Sequence, residues 1–218
     1  MTPIYASMVR RTGATPVPIV SVHGTDGDAR HEASEAKRFA HLIPFDALFI
    51  CPQFRTPYQF LLPDADRKVL DFIDGELGVS SRMLIRGFSG GAQFAHRFAF
   101  RHPYRVAACS ALGAGSYTLP DGTLIGMMVE DDYFTRPEFA DPAIRAAGEQ
   151  PACNGWQPIR WQTGCGRRDV ESRVKSAKAF ADALRVDGAS VEQVTWDAEH
   201  DPAPVAERVW RFLGKGVA

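Results

Sequence analysis

The sequence predicts an α/β protein with a mostly parallel central sheet and helices on both faces. Three observations point there. Short apolar runs of strand length alternate with longer helical patterns along most of the chain. Runs such as Val17 to Val22 and Val106 to Leu112 are largely apolar, as strands covered on both faces are. Turn formers follow several of them, as in His23-Gly24 and Pro52. At 218 residues the chain is expected to form one domain, 1–218.

The elements follow in order. Val17 to Val22 reads as a buried strand ending at His23-Gly24, and Ala29 to Leu42 as a helix. Phe45 to Cys51 is a second strand, stopped by Pro52. Asp64 precedes a helix with Val69, Leu70, Ile73 and Leu77 on one face and Gly78 at its end. Arg82 to Arg86 is a third strand, and Ala92 to Arg101 a helix ended by His102-Pro103. Val106 to Leu112 and Ile159 to Thr163 are the fourth and fifth strands. Val170 to Val186 is an amphipathic helix, Val191 to Trp196 a sixth strand, and Val205 to Leu213 a last helix. Right-handed crossovers follow from such an alternation. The interval 113–158 breaks the rhythm with mixed Gly, Pro and acidic residues. It reads as a small lid or a long connection over the C-terminal edge of the sheet.

Composition removes several function classes. Lys and Arg number 25 against 26 Asp and Glu, a net charge of −1, which speaks against a nucleic-acid or anionic-membrane binder. No run of 18 uncharged apolar residues suggests a membrane span, and Met1 to Thr15 carries no apolar leader region. Cys51, Cys109, Cys153 and Cys165 form no C-x-x-C pair. They read as reduced thiols in a cytoplasmic protein, with a Cys153–Cys165 bridge as the alternative. Asp26-Gly27-Asp28 lacks the further ligand spacing of a calcium loop. Gly113-x-Gly115 and Gly164-x-Gly166 lack the third glycine of a dinucleotide site. No metal or cofactor is expected, and the oligomeric state is left open.

Gly87-Phe88-Ser89-Gly90-Gly91 fits G-x-S-x-G, with an apolar strand before it and a helix after it. In that context a sharp turn lifts a serine Oγ above the sheet at a helix N-terminus. The bland alternative is a glycine-rich turn with an ordinary serine. A serine hydroxyl needs a base, and an imidazole base needs a carboxylate to orient it. His200, in Glu199-His200-Asp201-Pro202 after the last strand, reaches the same sheet edge as Ser89. Asp169 ends the loop after the fifth strand. Its rivals are a simple capping role and Asp197 as the acid. Thr25, after the first strand, and Gly90 are the expected N–H donors of an oxyanion hole. Phe88, Tyr117, Phe134 and Phe139 are expected to bind substrate, with Trp156 completing an apolar wall.

The chain order Ser89, Asp169, His200 on this alternation resembles the α/β-hydrolase superfamily from about Val17 to Leu213. Gly87 to Phe94, His102-Pro103 and Gly113 to Pro120 are similar to small serine esterases related to polyhydroxyalkanoate depolymerases and feruloyl esterases. The resemblance implies an α/β-hydrolase fold, with a short excursion or lid before the acid-bearing strand. It also implies a cofactor-free serine hydrolase that cleaves small-molecule carboxylic esters through an acyl-enzyme. A peptidase, a thioesterase and a non-catalytic ligand-binding module share the scaffold. Thr25 and Asp26 stand where the lipase HGGG pattern has glycines, and the usual N-terminal strand pair is expected to be shortened or missing.

Overall fold

In the computed structural model, which describes residues 3–78 and 81–216, the alternation closes into one seven-stranded sheet. Strand β1 (Ile4–Val9) is followed by β2 (Val17–Val22), helix α1 (Ala29–Phe39), β3 (Ala47–Pro52) and α2 (Ala65–Leu77). Next come β4 (Met83–Phe88), α3 (Gly90–Arg101) and β5 (Val106–Leu112). The excursion contributes a two-stranded ribbon, β6 (Tyr117–Thr118) and β7 (Leu124–Ile125), and two short helices, α4 (Met127–Glu130) and α5 (Pro142–Gly148). The chain finishes with β8 (Arg160–Gly166), α6 (Glu171–Val186), β9 (Val191–Trp196) and α7 (Ala206–Leu213).

The strand order is β1-β3-β2-β4-β5-β8-β9. Every neighbouring pair is parallel except β1 with β3. From β2 the chain first steps to β3 on one side, then returns to place β4 on the other. The loops after β2 and β4 therefore diverge and open a crevice at the C-terminal edge, the usual ligand position in such sheets. Thr25 and Ser89 stand on those two loops.

Strand alternation shows how the faces are covered. Arg86 on β4 points to α1 and α7, where it pairs with Glu32 and Glu35 and lies 5.2 Å from the Trp210 ring. The next residue, Gly87, faces α3, and a Cβ there would lie 2.2 Å from the Gly91 backbone. Helices α3 and α6 pack on that second face and meet each other through His96, Phe100 and Phe180. One apolar cluster runs through the sheet and both helix layers.

Strand β1 was not foreseen. It is an edge strand with mostly exposed side chains, including Tyr5 and Met8, so it carries no buried pattern to read. It is a single antiparallel strand in place of the expected shortened pair. Strand β8 runs on through Gly164 and Gly166, which read as loop, because both pair in register with β9. The Cys153–Cys165 bridge is not formed: Cys165 is buried, Cys153 is exposed, and all four thiols are free. No described helix is long and apolar enough to cross a membrane.

Candidate active site

Ser89 occupies a turn that only close backbone packing can hold. Its φ of 56° and ψ of −117° are unusual for a residue with a side chain. Its N–H donates to Leu112 O at 3.0 Å, which ties the turn to β5. A Cβ at Gly91 would lie 2.0 Å from Val22 O, so α3 can approach β2 only with glycine there. The result is a half-buried serine at the N-terminus of a twelve-residue helix, where the dipole favours developing negative charge.

Two neighbouring loops bring an acid and a base together. The loop after β8 is bonded to the loop after β9, with Arg167 N–H donating to Trp196 O at 2.8 Å and Arg168 N–H to Ala198 O at 3.0 Å. Across this seam His200 Nδ1 lies 2.8 Å from Asp169 Oδ2. An ionised Asp169 only accepts, so Nδ1 carries the proton and Nε2 is the basic nitrogen. The other oxygen, Oδ1, accepts from Val170 N–H at 2.8 Å and from Arg173 Nη1 at 2.9 Å. Asp169 thus serves the start of α6 with one oxygen and the imidazole with the other. Asp197 is exposed and pairs with Arg168 at 3.2 Å, away from the ring.

Burial raises the Asp169 pKa, but the bonds from His200 and Arg173 outweigh it and hold the group below the ordinary carboxylate value. Burial lowers the His200 pKa below 6.5. The hydrogen bond to Asp169 opposes that shift, and the Arg173 charge adds to it. Phe88 packs on the imidazole with 4.6 Å between ring centroids.

The loop after β2 stands beside the serine. A Cβ built on Gly90 would lie 2.8 Å from Thr25 N and 2.6 Å from Thr25 Oγ1. Neither the Thr25 nor the Gly90 N–H has a protein acceptor outside regular elements among the described residues. His23 accepts from Phe54 N–H through Nε2 at 3.0 Å, Tyr58 donates to His23 O at 2.6 Å, and Gln59 donates to Thr25 Oγ1 at 3.1 Å. Thr25, Ser89 and His200 line one cavity of about 210 Å³.

The whole chain superposes on solved hydrolases. A hyperthermophilic esterase from the archaeon Pyrobaculum calidifontis aligns with a TM-score of 0.65 and 16% identity, over 100% of this chain and 85% of that one. A fluorophosphonate-binding serine hydrolase of Staphylococcus aureus aligns at 0.65 and 15%, over 100% and 99%. A ferulic acid esterase aligns at 0.65 and 13%, over 98% and 97%. The chain has the α/β-hydrolase fold. No protein-family profile and no curated relative matches its sequence.

Within this hydrolase fold the expected substrate wall is partly redrawn. Of Phe88, Tyr117, Phe134 and Phe139, only Phe139 lines the cavity; Phe88 packs between the His200 and Trp196 rings. Tyr117 is fully buried, stacks on Phe180 at 4.5 Å and donates to Ala111 O, because β6 turns it inward. Phe134 packs on Phe60 and under Arg145 instead of lining the cavity. Trp156 is buried against Phe100 and Trp161. The lining also includes Gln93, Gly115, Met127, Met128, Tyr133 and Arg173, none of which the sequence assigned to the site. Two of these carried a signal. Gln93 lies four residues after Ser89, and Arg173 four after Asp169, so each sits one helical turn beyond a site residue.

Proposed function

We propose that this protein is a serine hydrolase of small carboxylic esters. Ser89 attacks the ester carbonyl, and His200 Nε2 takes its proton. Asp169 holds the imidazole in that tautomer and steadies the imidazolium that forms. The Thr25 and Gly90 N–H groups receive the oxyanion. His200 then returns its proton to the departing alcohol, and water releases the acyl group by the same steps in reverse. This chemistry needs neither metal nor cofactor. The substrate is a small molecule, and the cytoplasm is the proposed site of action.

The observation that carries the reading is the 2.8 Å contact between His200 Nδ1 and a buried Asp169 carboxylate, on a cavity shared with a serine in strained geometry. A purely binding module has no need of such a pair. The depressed His200 pKa supports the reading as well, since a base must be neutral to act. Structural neighbours bearing esterase and serine hydrolase names are consistent with it. One neighbour is named an S-formylglutathione hydrolase, which keeps thioesters as the second acyl class to assay.

The test is a hydrolysis screen of p-nitrophenyl esters of rising chain length, with thioesters and peptide amides beside them. Ester turnover that Ser89→Ala abolishes, without loss of thermal stability, is the expected result. Ser89→Ala activity within tenfold of wild type would overturn the assignment.

A further inference from the structure

The Ser89 cavity is lined by several side-chain hydrogen-bond donors, and a buried arginine fixes the direction of one of them, the Gln93 amide. Arg97 is buried and pairs with no carboxylate among the described residues, and a guanidinium only donates. Its Nη2 lies 3.0 Å from Ser116 Oγ. That hydroxyl lies 2.7 Å from the side-chain oxygen of Gln93. Ser116 accepts from Arg97, and Arg97 Nη1 itself lies 3.5 Å from the same Gln93 atom, so the atom that faces both the cation and the hydroxyl is the amide oxygen. The Gln93 amide is therefore oriented by chemistry. Its Nε2 has no protein acceptor among the described residues, and it would lie 3.2 Å from a Cβ on cavity-lining Gly115.

Arg173 adds a second set of donors to the same cavity. Asp169 takes only Nη1. Nε is buried with no partner, and Nη2 makes no hydrogen bond to a described residue. Thr25 Oγ1 accepts from Gln59 and keeps its own proton to give. No aspartate or glutamate lines the cavity, whose remaining wall is mainly Met127, Met128 and Phe139. Arg173 Nε is buried, and an alkyl acyl group would leave it unpaired, which is costly. An acceptor-rich anion would satisfy these donors, and charge-assisted bonds to guanidinium are the strong ones.

We propose that the Gln93 and Arg173 donors bind a carboxylate on the acyl group, so that the preferred substrates are half-esters of short dicarboxylic acids. The inference rests on the esterase reading above and specifies its substrate class. Arg173 has a second task, holding Asp169, so Gln93 is the cleaner probe.

Proton release from monoethyl glutarate and ethyl pentanoate gives the ratio of kcat/KM for an anionic and a neutral ester. Wild type is expected to favour the anionic ester by about tenfold or more. Gln93→Leu and Arg173→Met should each bring the ratio toward one, and Arg173→Lys should restore part of it. A wild-type ratio near or below one, with ethyl pentanoate turned over, overturns the proposal and leaves ester hydrolysis standing. Failure to hydrolyse either ester, with no fluorophosphonate adduct on Ser89, overturns the esterase reading. Calorimetry on Ser89→Ala with the same two compounds then decides on recognition alone. Tighter binding of monoethyl glutarate by about tenfold supports the carboxylate site, and equal binding overturns it.

Discussion

The serine turn and the excursion meet over one cavity, yet they are held by different forces. The turn is fixed by backbone against backbone. Gly87 and Gly91 stand where any Cβ would collide with main-chain atoms at 2.2 Å and 2.0 Å. The excursion is fixed by side chains. Phe60, Met128, Phe139 and Ile144 form its small separate core, and Arg97 pins it through Ser116 and Thr118. Backbone sterics leave Ser89 one position. Side-chain packing lets the wall above it be rebuilt without moving that serine, so under the proposed function substrate choice can change while the reaction is kept.

The sharpest way to break this comparison is one methyl group on each side. Gly91→Ala forces a Cβ onto Val22 O, and the expected outcome is loss of soluble, folded protein. Gly115→Ala meets only side chains, Gln93 at 3.2 Å, Met128 at 3.5 Å and Met127 at 3.8 Å. It should melt close to wild type and change KM instead. Thermal melts of the two variants check the contrast, and equal stability would mean that the turn is not sterically locked.

The acid comes next in size. Asp169→Asn should keep the fold but favour the wrong imidazole tautomer, with a loss in kcat approaching ~10⁴-fold. Asp197→Asn removes only an exposed pair with Arg168 and should stay close to wild type. The reverse ranking of kcat would move the acid to Asp197.

Two aromatic truncations sharpen the account of the excursion. Tyr117→Ala empties a fully buried site and should cost about 3–5 kcal/mol while leaving chain-length preference unchanged. Phe139→Ala should shift chain-length preference and also lower the melting temperature, since Phe139 both lines the cavity and sits in the small core. Denaturant unfolding and an ester series measure both. Matched losses of stability with no change in preference would make Phe139 a plain core residue.

The smallest expected effect is in the pH profile. In the proposed reaction His200 must be neutral, and burial together with Arg173 lowers its pKa below 6.5. The acid limb of kcat/KM should therefore fall below pH 6.5. Arg173→Met removes one of the lowering influences, so that limb should move to higher pH. A limb unchanged by the substitution would separate Arg173 from the imidazole.

The same difference in forces explains what could be read in advance. Strands such as Val17–Val22 and Val106–Leu112 are buried on both faces, so their composition alone announces them. Ser89 was legible because its glycines are required by local geometry. Asp169 and His200 were legible because adjacent parallel strands place their loops side by side. Strand β1 was not, since an edge strand with mostly exposed side chains, held chiefly by pairing to β3, carries no buried pattern. Nor was the cavity wall. Tyr117, Phe134 and Phe139 look alike in sequence, and only the turn at β6 and the Phe60 cluster decide which of them faces the serine.

Fluorophosphonate labelling, read by intact mass and peptide mapping, tests the activation of Ser89 most directly. The expected result is one phosphonyl group per chain, on the Ser89 peptide. The adduct should be absent in Ser89→Ala and form far more slowly in His200→Ala. No adduct on the folded wild type, or an adduct elsewhere at an undiminished rate in Ser89→Ala, would contradict an activated serine at this site.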